Sequence, residues 1–157
     1  MEHNLNRHIN DTIENIISTA ELFGGGIDSA ENFKSDITKH YKYDYPNELK
    51  NDNLSGIYMI INLFNKKIYV GSSKKMRDRI KQHFKSLRKN QHYNEDLQND
   101  YNQYGTKAFA CGVVFLIDDI SMLERAEIDT YHTVVENGFK SYNKATIKRD
   151  ITKDMQH

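Results

Sequence analysis

Cysteine and proline each occur once in the 157 residues, and tryptophan does not occur. The lone Cys111 excludes an internal disulfide and any zinc site built from several thiolates, and in its apolar stretch it reads as core filling. No long hydrophobic run is present. The longest mostly apolar stretch, from Ala108 to Ile117, is ten residues, too short to cross a bilayer. The opening residues MEHNLNRHIN lack the apolar segment of a secretory signal. Net charge is missing too, with 22 basic and 22 acidic residues in balance. Neither internal repeats nor low-complexity segments are found, and His3, His8, His40, His132 and His157 show no metal-ligand spacing. These absences predict a soluble, cytoplasmic protein with one core and no membrane partner. A hydrophobic share of 38% supports such a core in a chain of this length.

The zero net charge hides a strong asymmetry. Between Lys66 and Lys89 lie ten basic residues and one acid, Asp78, so this window carries +9. The remainder, with twelve basic and twenty-one acidic residues, carries −9. A basic stripe on an acidic protein attracts phosphates locally while the rest limits non-specific adhesion. A lysine and arginine run is more often a solvated helix face, so the charge needs chemistry beside it.

Hydrophobic spacing divides the chain. Ile9, Ile13, Ile16, Ala20 and Phe23 recur at helical intervals until Gly24-Gly25-Gly26, and Phe33, Ile37 and Tyr41 predict a second short helix ending before Pro46. Residues 1–52 thus read as a helical extension that packs on the main domain, mediates self-association, contacts DNA or regulates. Residues 53–147 form the main domain and 148–157 a short tail. In the main domain, Ile57–Ile61 and Lys67–Val70 are strand-rich runs joined by a hairpin at Asn62–Lys66. Met76, Ile80, Phe84 and Leu87 predict a helix with the basic residues on its other faces. A second helix follows over Asn94–Tyr104, capped by Gly105, and Ala108–Ile117 is a buried third strand. Ser121 and Glu124 have the spacing of a capping box for a last helix running to Glu136 and stopped by Gly138. The fold class is α+β: a small three-stranded antiparallel sheet flanked by helices, preceded by the helical extension.

Gly56-Ile57-Tyr58, a ten-residue gap, and Tyr69-Val70-Gly71 resemble the signature of the GIY-YIG nuclease family, with Val70 where isoleucine is usual. Arg79 and His83 on the following helix, Glu127 on the last helix and Asn143 near the end stand at the family's spacing. The stretch from Tyr69 to Phe84 is especially similar to the phage intron-encoded homing endonucleases of that family. Taken singly, Tyr58 and Tyr69 are ordinary strand residues. Arg79 and His83, four apart, share one helix face. Two strand tyrosines facing an Arg and a His are harder to assign to packing.

Phosphodiester hydrolysis needs a base for water, positive charge at the phosphate and help for the leaving oxygen. The resemblance implies that Tyr58 helps deprotonate the water with His83 as its proton acceptor, and that Tyr69 orients water or phosphate. Arg79 would hold the scissile phosphate with a fork that stays charged at working pH. A single carboxylate is the expected ligand of Mg2+, with Mn2+ able to substitute, since magnesium keeps most of its waters. Glu124 and Glu127 both qualify by helical position. Glu124 has a capping task, and Glu127 fits the family pattern. The resemblance gives Asn143 a supporting hydrogen-bonding role. Lys74, Lys75, Arg77, Lys81, Lys85 and His92 are expected at the phosphates of DNA, and Gly56 and Gly71 belong to the structural motif.

These residues imply a metal-dependent DNA endonuclease of small restriction type or stand-alone phage type. Abundant Asn, Lys, Ile and Tyr match AT-rich coding. Fourteen residues follow Asn143, whereas homing endonucleases attach a long C-terminal recognition region, so either specificity comes from residues 1–52 and a homodimer or higher oligomer, or the enzyme is a stand-alone nuclease of low specificity. The alternatives are a homing-type nuclease domain without its targeting module, a DNA-repair nickase, and a non-catalytic DNA-binding module.

Overall fold

The computed structural model describes residues 2–23 and 54–143. Helix α1 spans Glu2–Phe23, strands β1 and β2 span Gly56–Asn62 and Ile68–Ser73, and helices α2 and α3 span Met76–Arg88 and Glu95–Tyr104. Strand β3 (Phe109–Leu116) and helix α4 (Leu123–Glu136) follow. The short helix expected around Phe33–Tyr41 and the tail 148–157 lie outside the described residues.

β1 is the central strand of a three-stranded sheet in the order β2-β1-β3, antiparallel to both neighbours. The hairpin closes through Asn62, whose carbonyl accepts from the Lys66 amide at 2.8 Å and whose amide donates to the Lys67 carbonyl at 2.9 Å. Lys66 takes the left-handed conformation, with φ of 60°.

Every residue of β1 is buried, which explains why Ile57-Tyr58-Met59-Ile60-Ile61 shows no polar alternation. An antiparallel sheet commonly leaves one face wet; here both are covered. Tyr58 and Ile60 face Met76, Ile80, Phe84 and Leu87 of α2 and Leu97 of α3, together with Phe109, Cys111 and Val113 of β3. Ile57, Met59 and Ile61 point the other way, to Ile9, Ile13, Ile16 and Ala20 of α1 and to Leu123 and Val134 of α4. The amphipathic α1 therefore packs on the main domain as part of its second core. Each fully buried isoleucine of α1 contributes roughly 2 kcal/mol of apolar burial.

Gly105 ends α3 as its sequence predicts, at φ 85°, and at the other end Asn94 accepts from the Leu97 amide. The last helix departs from expectation. Ser121 does not cap it, because the Asp119 carboxylate takes both the Ser121 amide at 3.0 Å and its hydroxyl at 2.7 Å. A 3-10 turn over Ile120–Met122 results, and α4 begins at Leu123 without a side-chain cap. Glu124 is thus in the first turn of a helix that starts two residues after Ser121.

Candidate active site

The face of the sheet turned to α2 holds the two tyrosines expected to act. Tyr58 lies on the central strand and Tyr69 on β2, with ring centroids 6.4 Å apart. Tyr58 is opposite Gly71 in the β1–β2 register, and its ring lies across that glycine. A Cβ at position 71 would overlap the phenol, and one at Gly56 would overlap the Phe115 carbonyl on β3. Both motif glycines therefore allow close approach. Gly71→Ala is expected to lower stability by roughly 1–3 kcal/mol and to push the Tyr58 ring away from its partner. Urea melts and a cleavage assay check this, and an unchanged variant in both would contradict it.

α2 brings His83 and Arg79 to the tyrosines. His83 is buried, with its Nε2 2.7 Å from the Tyr58 hydroxyl. Its Nδ1 is 2.7 Å from Nε2 of His92, whose ring stacks on His83 at 5.0 Å. Half-buried Arg79 sits beside Tyr58 and over the ring of Tyr93, 5.9 Å from its centroid. Arg79, His83, Lys85, His92 and Tyr93 line an open cleft of about 260 Å³.

Electrostatics follow from burial. Burial pushes the Tyr58 phenol up, with Arg79 opposing it, and pushes Tyr69 up with Tyr58 and Tyr93 adding to the effect. Burial, His92 and Arg79 together hold His83 down at about 3, while burial and Arg79 hold His92 at about 4. Both imidazoles are therefore neutral at physiological pH. An unfolded histidine binds its proton near 6.5, so below that pH the unfolded chain takes up protons the folded one refuses. Stability is expected to fall steadily from pH 6.5 to 4, by on the order of 3 kcal/mol or more. A melting temperature flat across that range would contradict the burial of the pair.

Glu127 is half-buried on α4 and accepts from the Ser72 hydroxyl of β2 at 3.1 Å. Its charge bears on both Tyr58 and Tyr69, whereas Glu124 is exposed in the first turn. Packing thus separates two carboxylates that helical position leaves equivalent. Among the described residues no group of three or more His, Cys, Asp or Glu could cage a metal. A single carboxylate suits a cation that keeps its waters and takes phosphate oxygens, as magnesium does.

The remaining expected residues divide. Asn143 brackets the backbone of Val70, accepting from its amide and donating to its carbonyl, each at 2.7 Å. It fixes β2 between Tyr69 and Gly71. His92, expected at DNA phosphates, is buried against His83 in the wall of the cleft, with its backbone amide donating to Gln98 at 2.9 Å. Lys85 lines the cleft, while Lys74, Lys75 and Lys81 are exposed and Arg77 half-buried along β2 and α2, outside its lining. Sequence reasoning missed Tyr93, whose hydroxyl bonds that of Tyr69 and whose ring stacks on His92 at 4.6 Å. Its signal was an aromatic residue beside a histidine in a polar loop just past the basic helix.

The sequence model of the GIY-YIG catalytic domain matches residues 54–143, more than half of the chain. The chain belongs to the GIY-YIG nuclease family. Nucleases with this domain generally depend on a divalent metal. Intron-associated endonuclease 1 of Enterobacteria phage T4 is 45% identical over 60 residues, which are 38% of this chain and 24% of that protein. The chain thus spans about a quarter of that relative's length. Two solved structures of the catalytic domain of the intron endonuclease I-TevI, one a mutant, are similar at 35% and 32% identity, with TM-scores of 0.47 and 0.46. Each match covers 55% of this chain, and 91% and 96% of the respective domain. Among the described residues, no helix is long and apolar enough to cross a membrane.

Proposed function

We propose that the GIY-YIG domain is a divalent-metal-dependent endonuclease that hydrolyses phosphodiester bonds of DNA. The observation that carries this reading is the convergence of Tyr58, Tyr69, Arg79, His83 and Glu127, of which Arg79 and His83 also line an open cleft. Arg79 would hold the scissile phosphate and stabilise charge as it develops. Tyr58, bonded to His83 and eased by Arg79, stands where a phenol can handle the proton of the attacking water. Tyr69 would orient that water or the phosphate. Glu127, braced by Ser72, would hold Mg2+, with Mn2+ able to replace it. Such an ion supplies Lewis-acid stabilisation of the phosphate and leaving oxygens.

The basic stripe supplies affinity. If Lys74, Lys75, Arg77, Lys81 and Lys85 each meet one phosphate, affinity for a labelled duplex falls roughly 10²–10³-fold between 50 and 200 mM salt. A salt-independent affinity would remove DNA as the substrate. One such site cuts one strand at a time, so double-strand breaks require a homodimer or sequential nicking.

The main domain is proposed as residues 53–147, with 1–52 as an extension whose α1 completes the core. Within the nuclease class we propose a small phage-type or restriction-type enzyme. A homing-type catalytic domain is the second reading, favoured by the intron-associated phage relative. Discrete fragments from a plasmid panel would support a sequence-specific enzyme of either type, and random nicking would oppose both.

A further inference from the structure

We propose that His92 fixes the tautomer of His83, and thereby makes Tyr58 the acceptor, rather than the donor, of the bond between them. The direction follows from one group that can only donate. The backbone N–H of Asn94 points at Nδ1 of His92 at 3.0 Å, so that nitrogen is the acceptor and carries no proton. A neutral imidazole has one N–H, which places it on Nε2 of His92. That N–H faces Nδ1 of His83 at 2.7 Å, so His83 Nδ1 accepts. The proton of His83 is then on Nε2, 2.7 Å from the Tyr58 oxygen, and is donated to it.

The chain of donors is anchored where it begins. The Asn94 side chain accepts from the Leu97 amide at 3.0 Å and donates to the Tyr142 carbonyl at 2.8 Å. Gln98 holds the His92 amide and donates to the Leu87 carbonyl at 3.0 Å. The loop between α2 and α3 is therefore tied to both helices and to the segment after α4, and the Asn94 amide has no freedom to turn away. Arg79, Tyr58, Tyr69, Tyr93 and His92 are the titratable groups facing His83. Adding a proton to His83 would set two N–H groups against each other, at its Nδ1 and at His92 Nε2, which agrees with its depressed basicity.

The consequence for catalysis rests on the nuclease reading and revises what the family resemblance implied. His83 does not receive the Tyr58 proton. Its Nε2–H leaves the phenolic hydrogen of Tyr58 free for another acceptor, and like Arg79 it works against the burial that favours the phenol. His92 is a positioning residue. It touches no reacting atom and acts through His83.

The test is nitrogen NMR on the full chain labelled at its histidine rings, with His83 and His92 assigned from single variants. Both rings are expected to show a protonated, pyrrole-type Nε2 and a bare, pyridine-type Nδ1 from pH 6 to 8. A proton on Nδ1 of His83 would overturn the proposal, whether or not the protein cuts DNA. In the cleavage assay His92→Leu removes the donor, and kcat is expected to fall roughly 10- to 100-fold with KM little changed. His92→Gln, whose amide can still donate to His83, is expected to recover most of it. Equal loss in two folded variants would overturn the positioning role, and if His92→Leu fails to fold the NMR of the unaltered chain decides the tautomer.

Discussion

Replacing Glu127 by glutamine is expected to lower cleavage by at least ~10³-fold while DNA affinity stays within about threefold. The carboxylate is the one whose charge reaches both tyrosines, and the Ser72 hydroxyl holds it toward β2. The amide of glutamine has nearly the same shape but no charge for a divalent cation, so folding should survive and chemistry should not. Glu124→Gln, one turn nearer the exposed start of α4, should retain most of the activity. If Glu124→Gln were the inactive variant of the two, the metal ligand would have to be reassigned. The readout is initial rate at saturating Mg2+, with thermal melts to show that both variants fold.

Arg79→Ala is expected to cost roughly 10²–10³-fold in kcat, the scale of losing one preorganised donor to a developing oxyanion. Its guanidinium also opposes the burial that pushes the Tyr58 phenol up, so its removal should move the rise of the pH–rate profile to higher pH. Arg79→Lys keeps the charge but loses the planar fork and the contact with the Tyr93 ring, and should recover the rate only in part. A fully active Arg79→Lys would show that charge alone suffices there. A profile that does not move in Arg79→Ala would separate Arg79 from Tyr58.

The elements of the sheet were legible because their side chains obey simple periods. The run Gly56–Ile61 is uniformly apolar because both faces of β1 are covered, and Met76, Ile80, Phe84 and Leu87 keep the helical interval that buries one side of α2. The amphipathic face of α1 was equally plain, but its destination was not. Periodicity says that a face is buried without saying against what, and only the fold shows that the sheet face opposite the tyrosines needed covering. The capping box failed for a local reason: Asp119, two residues before Ser121, competes for the same hydroxyl and amide with a full negative charge.

The site divides along the same line. Tyr58, Tyr69, Arg79 and His83 could be named through the resemblance to the GIY-YIG signature and its spacing, to which helix geometry added only that Arg79 and His83 share one face. His92 and Tyr93 belong to the loop between α2 and α3, where no period tells which side chain turns inward. The backbone amide of His92 bonds Gln98, 6 residues on, and Tyr93 meets Tyr69 across 24 residues. Asn143 reaches back 73 residues to bracket Val70, a pairing that spacing cannot reveal. The two motif glycines gain their reasons only from the register that sets Tyr58 opposite Gly71 and carries Gly56 under the Phe115 carbonyl.

The central claim is hydrolysis of DNA at this cleft, and supercoiled plasmid tests it most directly. The protein is incubated with plasmid in magnesium, beside one arm with EDTA and one with the Glu127→Ala variant. Nicked or linear plasmid in the first arm alone is the predicted result. Plasmid that stays supercoiled across varied metals, salt and sequences, yet is retarded on a gel by the protein, would contradict it and leave a domain that binds DNA without cutting it.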